Sequence, residues 1–473
     1  MAQEVYTGRL LFRNVQFQYA YQEGKLWLYP LTEQDAQTVR WKWLKKEVAP
    51  GSYVNGDPLV VHESYIDAQC NELRGGIVFI TRVGSGISSV NCNLSIAVRF
   101  VVLKSGFSET ICGLSISGPC LNHIYPSNIA WEERLDFDEM VNDGVTSIVT
   151  AGFESVTSNA FDLKIDKRDV TVSFTVGWTL SHRVDSPPIT LRSLLLFEFE
   201  ETDDYLFLCL LWSIAERFLG FMTHQVDVGP LIGNLKKRVE SGKYLSFAEM
   251  MPAMCPAEFD DSHLSKGRYL TVSRLEGKEH RLFQDIVDNE IYLRHLVQSN
   301  RDKNHVDPAR YVLVTAAFEW EFARCFPDGV EVSASQLKAE ETVKRILEEQ
   351  IQMTSGRVKS ILGQLEKSVS FTNLMSKVVF AAKQYDEIVA KFGKRLYELN
   401  NVQFNYSDIG TRLARQRNNY AHGNIDKDFE GAALLDLFFL EYVILAMQLK
   451  SCGVSADGIR QSINVLFGLH CSL

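Results

Sequence analysis

Segment 415–423, with the sequence RQRNNYAHG, gathers side chains suited to phosphate chemistry. Histidine titrates near neutral pH and can move a proton, and arginine presents a fork of donors that matches phosphate oxygens. An amide such as Asn418 can orient either group. RNA cleavage by the neighbouring 2′-hydroxyl needs such a proton carrier and such a cation, and DNA lacks that hydroxyl. The segment therefore predicts either a ribonuclease site or a solvated helix end.

The spacing between arginine and histidine is weak evidence by itself. Arg217 and His224, like Arg274 and His280, have similar spacings. Only segment 415–423 combines a predicted helix, a run of hydrogen-bonding residues and a terminal glycine that can end the helix. No metal is expected, because no acidic cluster with ligand spacing accompanies it.

A helix over this segment would have a buried side and an exposed side. At 100° per residue, Ile409, Leu413 and Tyr420 fall within about 40° of one another and predict the buried stripe. Asn418 and His422 stack on the opposite side, and Arg417 lies about 140° from His422. One helix is therefore poorly placed to bring both groups to one phosphate. Two copies of the helix, related by a two-fold axis, could supply both groups to one cleft.

The surroundings of this helix are basic although the protein is acidic. Residues 355–417 hold 11 lysines and arginines against 5 acidic residues, while the whole chain of 473 residues has a net charge of −10. A local excess of cations is typical of a phosphate-binding surface, with Arg412 and Arg415 as candidate substrate contacts. The same charges also fit the solvated faces of ordinary helices.

Residues 1–200 carry the pattern of β structure. Short runs rich in Val, Ile, Phe and Thr alternate with polar residues and are separated by turn residues. They suggest a β-sandwich or a barrel, and the antiparallel, β-sandwich-like domain is the prediction adopted. With 17 lysines and arginines against 23 acidic residues, this region is not expected to bind nucleic acid by itself. The aromatic runs KLWLYP and VRWKWL are interpreted as packed core, and a carbohydrate- or peptide-binding platform is the alternative.

From Asp203 onward the apolar residues recur at helical spacing. The run YLFLCLLWSI is too short to span a bilayer and predicts a buried helix. Residues 201–302 are interpreted as a mixed helical bridge, with a strand at GRYLTVSRL and a linker at QSNRDKNH. Residues 303–473 predict an all-helical bundle. Asp307 and Pro308 predict the cap and the first residue of one helix, and the apolar residues from Leu374 to Leu396 predict a single further helix. The predicted fold class is therefore α+β multidomain.

The chain shows the features of a cytoplasmic protein. Its first residues, MAQEVYTGRL, lack the basic start and the apolar run of a signal peptide. The nine cysteines are scattered without a CxxC pair, which is typical of reduced thiols. We therefore expect a cytoplasmic location and no membrane association.

Residues 417–422, RNNYAH, resemble the Arg-x4–6-His motif of HEPN domains, in the form where a polar residue, often Asn, follows the arginine. The β-rich first half, followed by LFLCLLWSIAERFLGF, resembles the ApeA-like anti-phage HEPN proteins. The resemblance implies a dimeric, metal-independent ribonuclease of bacterial defence, without a cofactor, in which the motif helices of two protomers face each other. It also implies that Arg417 and His422 are catalytic and that Asn418 supports them.

The expected function is endonucleolytic cleavage of RNA in abortive infection, by attack of the 2′-hydroxyl on the adjacent phosphate. The substrate would be tRNA or another cellular RNA. The homodimer would form through the C-terminal helical domain, and a phage-derived trigger would bind the N-terminal domain. A non-catalytic protein, whose HEPN bundle only dimerises and whose β domain senses a partner, is the alternative from another class.

Overall fold

The computed structural model describes residues 5–106, 110–134, 147–150, 156–239, 244–254, 258–330, 334–369, 373–423 and 429–472. The chain divides into two compact units, Met1–Ser265 and Lys266–Leu473. The first unit consists mainly of antiparallel strands, and the second unit is helical. The predicted α+β class, with β structure before helices, is therefore confirmed.

The first unit is built from strands that alternate in burial. In Val15–Gln22, for example, Phe17 and Tyr19 are buried and Gln18 is exposed between them. Ile111–Ser117 is buried along its whole length, as expected for a strand covered on both faces. The strands of the described residues, in chain order, are β1 (Tyr6–Phe12), β2 (Val15–Gln22), β3 (Lys25–Pro30), β4 (Lys45–Ala49), β5 (Ser52–Asn55), β6 (Tyr65–Cys70), β7 (Ile77–Thr81), β8 (Ser88–Val90), β9 (Asn93–Lys104), β10 (Ile111–Ser117), β11 (Trp131–Arg134), β12 (Ser147–Thr150), β13 (Phe161–Ile165), β14 (Arg168–Leu180), β15 (Ile189–Thr202), β16 (Ile232–Arg238) and β17 (Tyr244–Pro252).

The main sheet closes on itself over part of its width. Strands β9, β3, β2, β1, β6 and β7 form a barrel-like ring, because β7 pairs with β9 as well as with β6. The sheet then continues from β9 through β17, β16, β10, β15, β14 and β13. β9 belongs to both parts because its 12 residues offer room for several neighbours. The structure thus differs from the sandwich-like prediction, since polar–apolar alternation is the same in strands of a sandwich and of a ring.

Two tryptophans of the VRWKWL run have different environments. Trp43 packs against Phe12 and Phe17, with ring centroids 6.1 Å apart in each pair. Trp41 is 45% exposed and contacts Tyr53. The interpretation as packed core is therefore confirmed for Trp43 and is wrong for Trp41.

The long helix of the first unit packs on the sheet. The helices of this unit are α1 (Glu33–Thr38), α2 (Pro119–Ile124), α3 (Tyr205–Thr223) and α4 (Ser262–Ser265). By length and composition alone, α3 is the one helix in the described part of the chain that could cross a membrane, and 72% of its apolar window is buried. Its Trp212 packs against Phe100 of β9, with ring centroids 5.2 Å apart. The prediction of a buried helix is confirmed.

The second unit is a helical bundle. Its helices are α5 (Glu279–Val287), α6 (Pro308–Cys325), α7 (Ala334–Met353), α8 (Gly356–Val369), α9 (Leu374–Gln384), α10 (Asp386–Glu398), α11 (Tyr406–Ala421), α12 (Ala433–Cys452) and α13 (Ala456–Leu466). α6 begins at the predicted cap, where the Asp307 carboxylate accepts a hydrogen bond from the Arg310 backbone at 2.7 Å. The single helix predicted from Leu374 to Leu396 is two helices, α9 and α10, because the helix breaks at Tyr385. α12 is buried over most of its length, as its apolar sequence predicts.

The predicted bridge, residues 201–302, is divided between the two units, so the domain boundaries at 200 and 302 differ from the observed division. β16 and β17 join the main sheet, and the segment GRYLTVSRL contains a 3₁₀ helix, Val272–Leu275, in place of the predicted strand. The predicted linker is an ordered 3₁₀ turn, Asn300–Asn304. Arg310 donates to three carbonyl groups there and forms an ion pair with Glu441 of α12.

A glycine allows α9 and α11 to cross closely. A Cβ atom at Gly410 of α11 would lie 2.9 Å from the carbonyl oxygen of Met375 in α9. By contrast, nothing lies within 4 Å of a Cβ atom built at Gly363 of α8. The close crossing sets the distance between α9 and α11, the helix that carries the predicted site.

Replacing Gly410 by alanine is expected to destabilise the protein by roughly 1–3 kcal/mol, because the added methyl group would push α9 away from α11. Gly363→Ala is the matched control and should stabilise the protein by about 0.5–1 kcal/mol through helix propensity. Urea denaturation followed by circular dichroism measures both effects. A stabilising Gly410→Ala change would contradict the close crossing.

Candidate functional site

The helix that carries the predicted motif, α11, is held by a cap and by a buried stripe. The Asn405 side chain accepts hydrogen bonds from the first backbone N–H groups of the helix, the shorter at 2.8 Å. Ile409 and Leu413 are fully buried and Tyr420 is nearly so, which confirms the predicted stripe. The Tyr420 ring packs edge-on against Tyr311 of α6, with centroids 5.7 Å apart. The buried stripe therefore determines which side chains of α11 reach the surface.

Arg412 joins α11 to two neighbouring helices through a buried carboxylate. Its Nε and Nη2 atoms each lie 2.7 Å from an oxygen of Asp436 in α12. The Tyr397 hydroxyl of α10 donates to the same carboxylate. Burial raises the pKa of Asp436, and the hydrogen bonds from Arg412 and Tyr397 oppose that rise. The hydrogen bonds to Asp436 raise the pKa of Arg412, which keeps the guanidinium charged.

Arg412 therefore has a positioning role in this structure. The Nε and Nη2 groups of its guanidinium both donate to Asp436, whose side chain is completely buried. A buried carboxylate needs such a cation, since an unpaired charge in the interior is costly. Contact of Arg412 with a substrate phosphate, as predicted from the sequence, would compete with this ion pair.

Arg417 lies on the flank of α11 and is oriented by residues from two other helices. Its Nη2 atom is 3.4 Å from Oε2 of Glu319 in α6. Lys377 of α9 approaches the other oxygen of Glu319, with 3.7 Å between Nζ and Oε1. The Arg417 side chain remains 39% exposed, so part of its guanidinium is open to a ligand. No sequence pattern indicated Glu319, which is 98 positions away from Arg417.

Asn418 and His422 lie at the exposed end of α11. Asn418 accepts a long hydrogen bond, 3.4 Å, from Nη1 of Arg417. His422 is the C-cap residue, and its backbone N–H donates to the Asn418 carbonyl at 3.1 Å. Gly423 follows with φ 83°, a left-handed conformation that favours glycine and ends the helix. The exposed imidazole therefore sits at the C-terminal end of the helix, as the sequence predicts.

Arg415 forms an exposed ion pair with Glu430, in the segment that leads to α12. The Arg415 side chain is 67% exposed. Exposed pairs of this kind contribute little to stability, so the guanidinium can exchange its partner for another anion at small cost. Arg415 thus fits the role of a substrate contact better than Arg412 does.

The structure brings the motif residues onto one helix end without joining the two predicted catalytic groups. Glu319 holds Arg417 on the side of α6, and Lys377 of α9 pairs with the same carboxylate. Among the residues that the structure describes, no contact is found between the side chains of Arg417 and His422. The same part of the chain offers no group of three or more His, Cys, Asp or Glu side chains placed to hold a metal ion.

Comparison of the chain with protein-family models, with curated proteins and with solved structures found no match. The resemblance of RNNYAH to the HEPN motif therefore stays a prediction from the sequence. What is inferred about the site depends on the geometry of α11 and its neighbours.

Arg412→Met is expected to lower the free energy of unfolding by about 3–5 kcal/mol, because it leaves the Asp436 carboxylate buried without its cation. Arg415→Met is the matched control and should cost about 0–1 kcal/mol, because it removes an exposed pair. Urea denaturation measures both values. If the two variants lose the same stability, Arg412 does not have the positioning role assigned to it.

Proposed function

We propose that the protein is a metal-independent endoribonuclease of the HEPN type, which acts as a homodimer in bacterial anti-phage defence. In this proposal the second unit is the HEPN bundle. The observation that carries the proposal is the placement of half-buried Arg417 and of exposed Asn418 and His422 at the end of a helix that is otherwise fixed in the bundle. Polar side chains of these types on a rigid support are suited to catalysis, because their positions are set before the substrate binds.

The proposed reaction is attack of the ribose 2′-hydroxyl on the adjacent phosphorus. The new P–O2′ bond replaces the P–O5′ bond, which leaves a 2′,3′-cyclic phosphate on one fragment and a 5′-hydroxyl on the other. His422 moves a proton between the reacting oxygens and the solvent. Arg417 stabilises the negative charge of the crowded phosphate, and Glu319 keeps its guanidinium in place. Because His422 transfers the proton and Arg417 stabilises the negative charge, the proposed reaction needs no metal and no cofactor.

The proposed substrate is tRNA or another cellular RNA. DNA should resist because it lacks the 2′-hydroxyl. The exposed cations of α10, the helix that precedes α11, would attract the phosphate backbone. Arg415 would exchange Glu430 for a phosphate. The exposed cations of α10 are Lys391, Lys394 and Arg395.

We place the control of this activity in the first unit, because an unrestrained ribonuclease in the cytoplasm would kill its host. A groove of about 890 Å³ on the β domain supports this view. Arg9, Arg74 and Lys104 line it together with Asp67, which pairs with Lys104 at 3.3 Å. A phage-derived trigger that binds this groove would release the activity of the second unit. If residues 266–473 alone are no more toxic to cells than the full chain, this control is not supported.

A non-catalytic dimer that senses a partner is the second candidate function. The pairing of Arg417 with Glu319 favours it, because the guanidinium already has an anionic partner. A protein of this kind would bind RNA weakly or not at all and would not cut it. RNA cleavage by variants of Arg417 and His422 distinguishes the two functions.

Arg417→Ala and His422→Ala are each expected to lower RNA cleavage by at least 100-fold, because one removes the cation and the other the proton carrier. Both side chains lie off the buried stripe, so the melting temperature should change little. Excess chelator should leave wild-type cleavage intact. A gel assay on a purified RNA, with a DNA of the same sequence beside it, measures these effects.

Arg294→Ala and His470→Ala are the matched controls, since both residues are exposed in the same unit and lie outside the motif. They should cut RNA as the wild type does. Cleavage that survives in Arg417→Ala and His422→Ala, or that disappears with chelator while the fold is intact, would contradict the proposed mechanism.

A further inference from the structure

Helices α7 and α8 form a hairpin whose described side chains make no buried core. Every side chain of 334–366 that the structure describes is exposed or half-buried. The two helices pack on each other, and no other described element contacts either of them as extensively. A pair of helices this long normally needs a further layer to bury its apolar residues.

The inner face of the hairpin accounts for one set of apolar residues. Leu347 and Ile351 of α7 are half-buried, as is Leu362 of α8. In α7 the half-buried positions 340, 344, 347 and 351 follow the 4-3-4 spacing of a helix–helix seam. This inner seam is where α7 and α8 meet.

A second seam runs beside the first and is exposed. On α7 it consists of Val343, Ile346 and Met353, and on α8 of Val358 and Ile361, all between 44% and 79% exposed. Positions 339, 343, 346, 350 and 353 repeat the 4-3-4-3 spacing, about 100° around the helix from the inner seam. Helices of a four-helix bundle carry two seams in this way, because each has two neighbours. The hairpin therefore has the sequence pattern of half a four-helix bundle.

We propose that the outer seam is covered by the same hairpin of a second copy of this chain, so that two hairpins form a four-helix bundle. An identical hairpin supplies the two missing helices with matching seams. The five exposed apolar side chains offer about 500 Å² per copy, or about 1,000 Å² in a dimer, which is the area at which specific interfaces begin.

Charge complementarity selects the arrangement of the two hairpins. α7 contains three basic and four acidic residues, whereas α8 contains three basic and one acidic. A two-fold axis parallel to the helices places α7 beside α8 of the other copy, so that acidic and basic helices alternate around the bundle. Glu349 borders the outer seam of α7 and Arg357 borders that of α8, within about 5 Å in height. The two residues pair between copies, twice by symmetry.

This dimer rests on the proposed function, which requires two copies of the chain at one site. Its test measures molecular mass and not RNA cleavage. If the protein does not cut RNA, the four-helix bundle can still form. If the hairpins do not dimerise, RNA cleavage would need a dimer contact elsewhere. The two results can therefore be distinguished.

The test replaces one residue of the outer seam on each helix, Ile346→Asp with Ile361→Asp, in the full chain. Light scattering at about 1–50 μM should give a dimer for the wild type and a monomer for the variant. The dissociation constant of the dimer should rise at least 30-fold in the variant. The control pair Gln352→Asp with Ser360→Asp adds the same charges on the exposed polar side and should stay dimeric. Circular dichroism should show the same helix content for both variants, because neither pair is buried within a single chain.

A wild-type chain that is monomeric throughout this range would overturn the proposal, and so would a seam variant that dimerises as well as the control pair. Charge reversal tests the arrangement. Glu349→Arg and Arg357→Glu should each weaken dimerisation about three- to tenfold, and the double variant should restore it to within about twofold. A double variant as weak as its singles would show that α7 does not lie beside α8 of the other copy.

Discussion

The buried carboxylate of Asp436 is the constraint on which the arrangement of the site depends. Arg412 and Tyr397 both bind it, so three helices, α10, α11 and α12, meet at one charged group in the interior. A carboxylate in this position is stable only with its cation and its donor in place. The rotation of α11 about its axis is thereby fixed. Arg417 is then directed to the flank, toward Glu319, and His422 to the exposed helix end.

This rotation has a consequence for function. An arginine and a histidine five positions apart on one helix are separated by about 140°, so a single copy does not bring them to the same phosphate. A second copy supplies the missing group if the two helices face each other. The hairpin of α7 and α8, which precedes α9 in the chain, offers the surface that would hold two copies together. Catalytic site and dimer contact would then be different parts of one helical unit.

Local features of the helices followed from the sequence, whereas long-range partners did not. The cap at Asp307 and the glycine at 423 were predicted because each acts on its own helix end. The break at Tyr385 has no glycine or proline to mark it and was missed. Asp436 lies in a helix that is apolar nearly all round, so its pairing with α11 was hidden, as was Glu319 in α6. The closure of the sheet through β7 and β9 depends on distant pairing, which alternation does not encode.

Mixing two inactive variants, Arg417→Ala and His422→Ala, is the most direct test of a site shared between two copies. If each site takes Arg417 from one chain and His422 from the other, a mixed dimer has one site that lacks both groups and one intact site. RNA cleavage should then return, up to about half of the wild-type rate per mixed dimer. If the mixture stays inactive while differently tagged chains are shown to exchange, no site combines Arg417 of one chain with His422 of the other. That result would contradict the shared site.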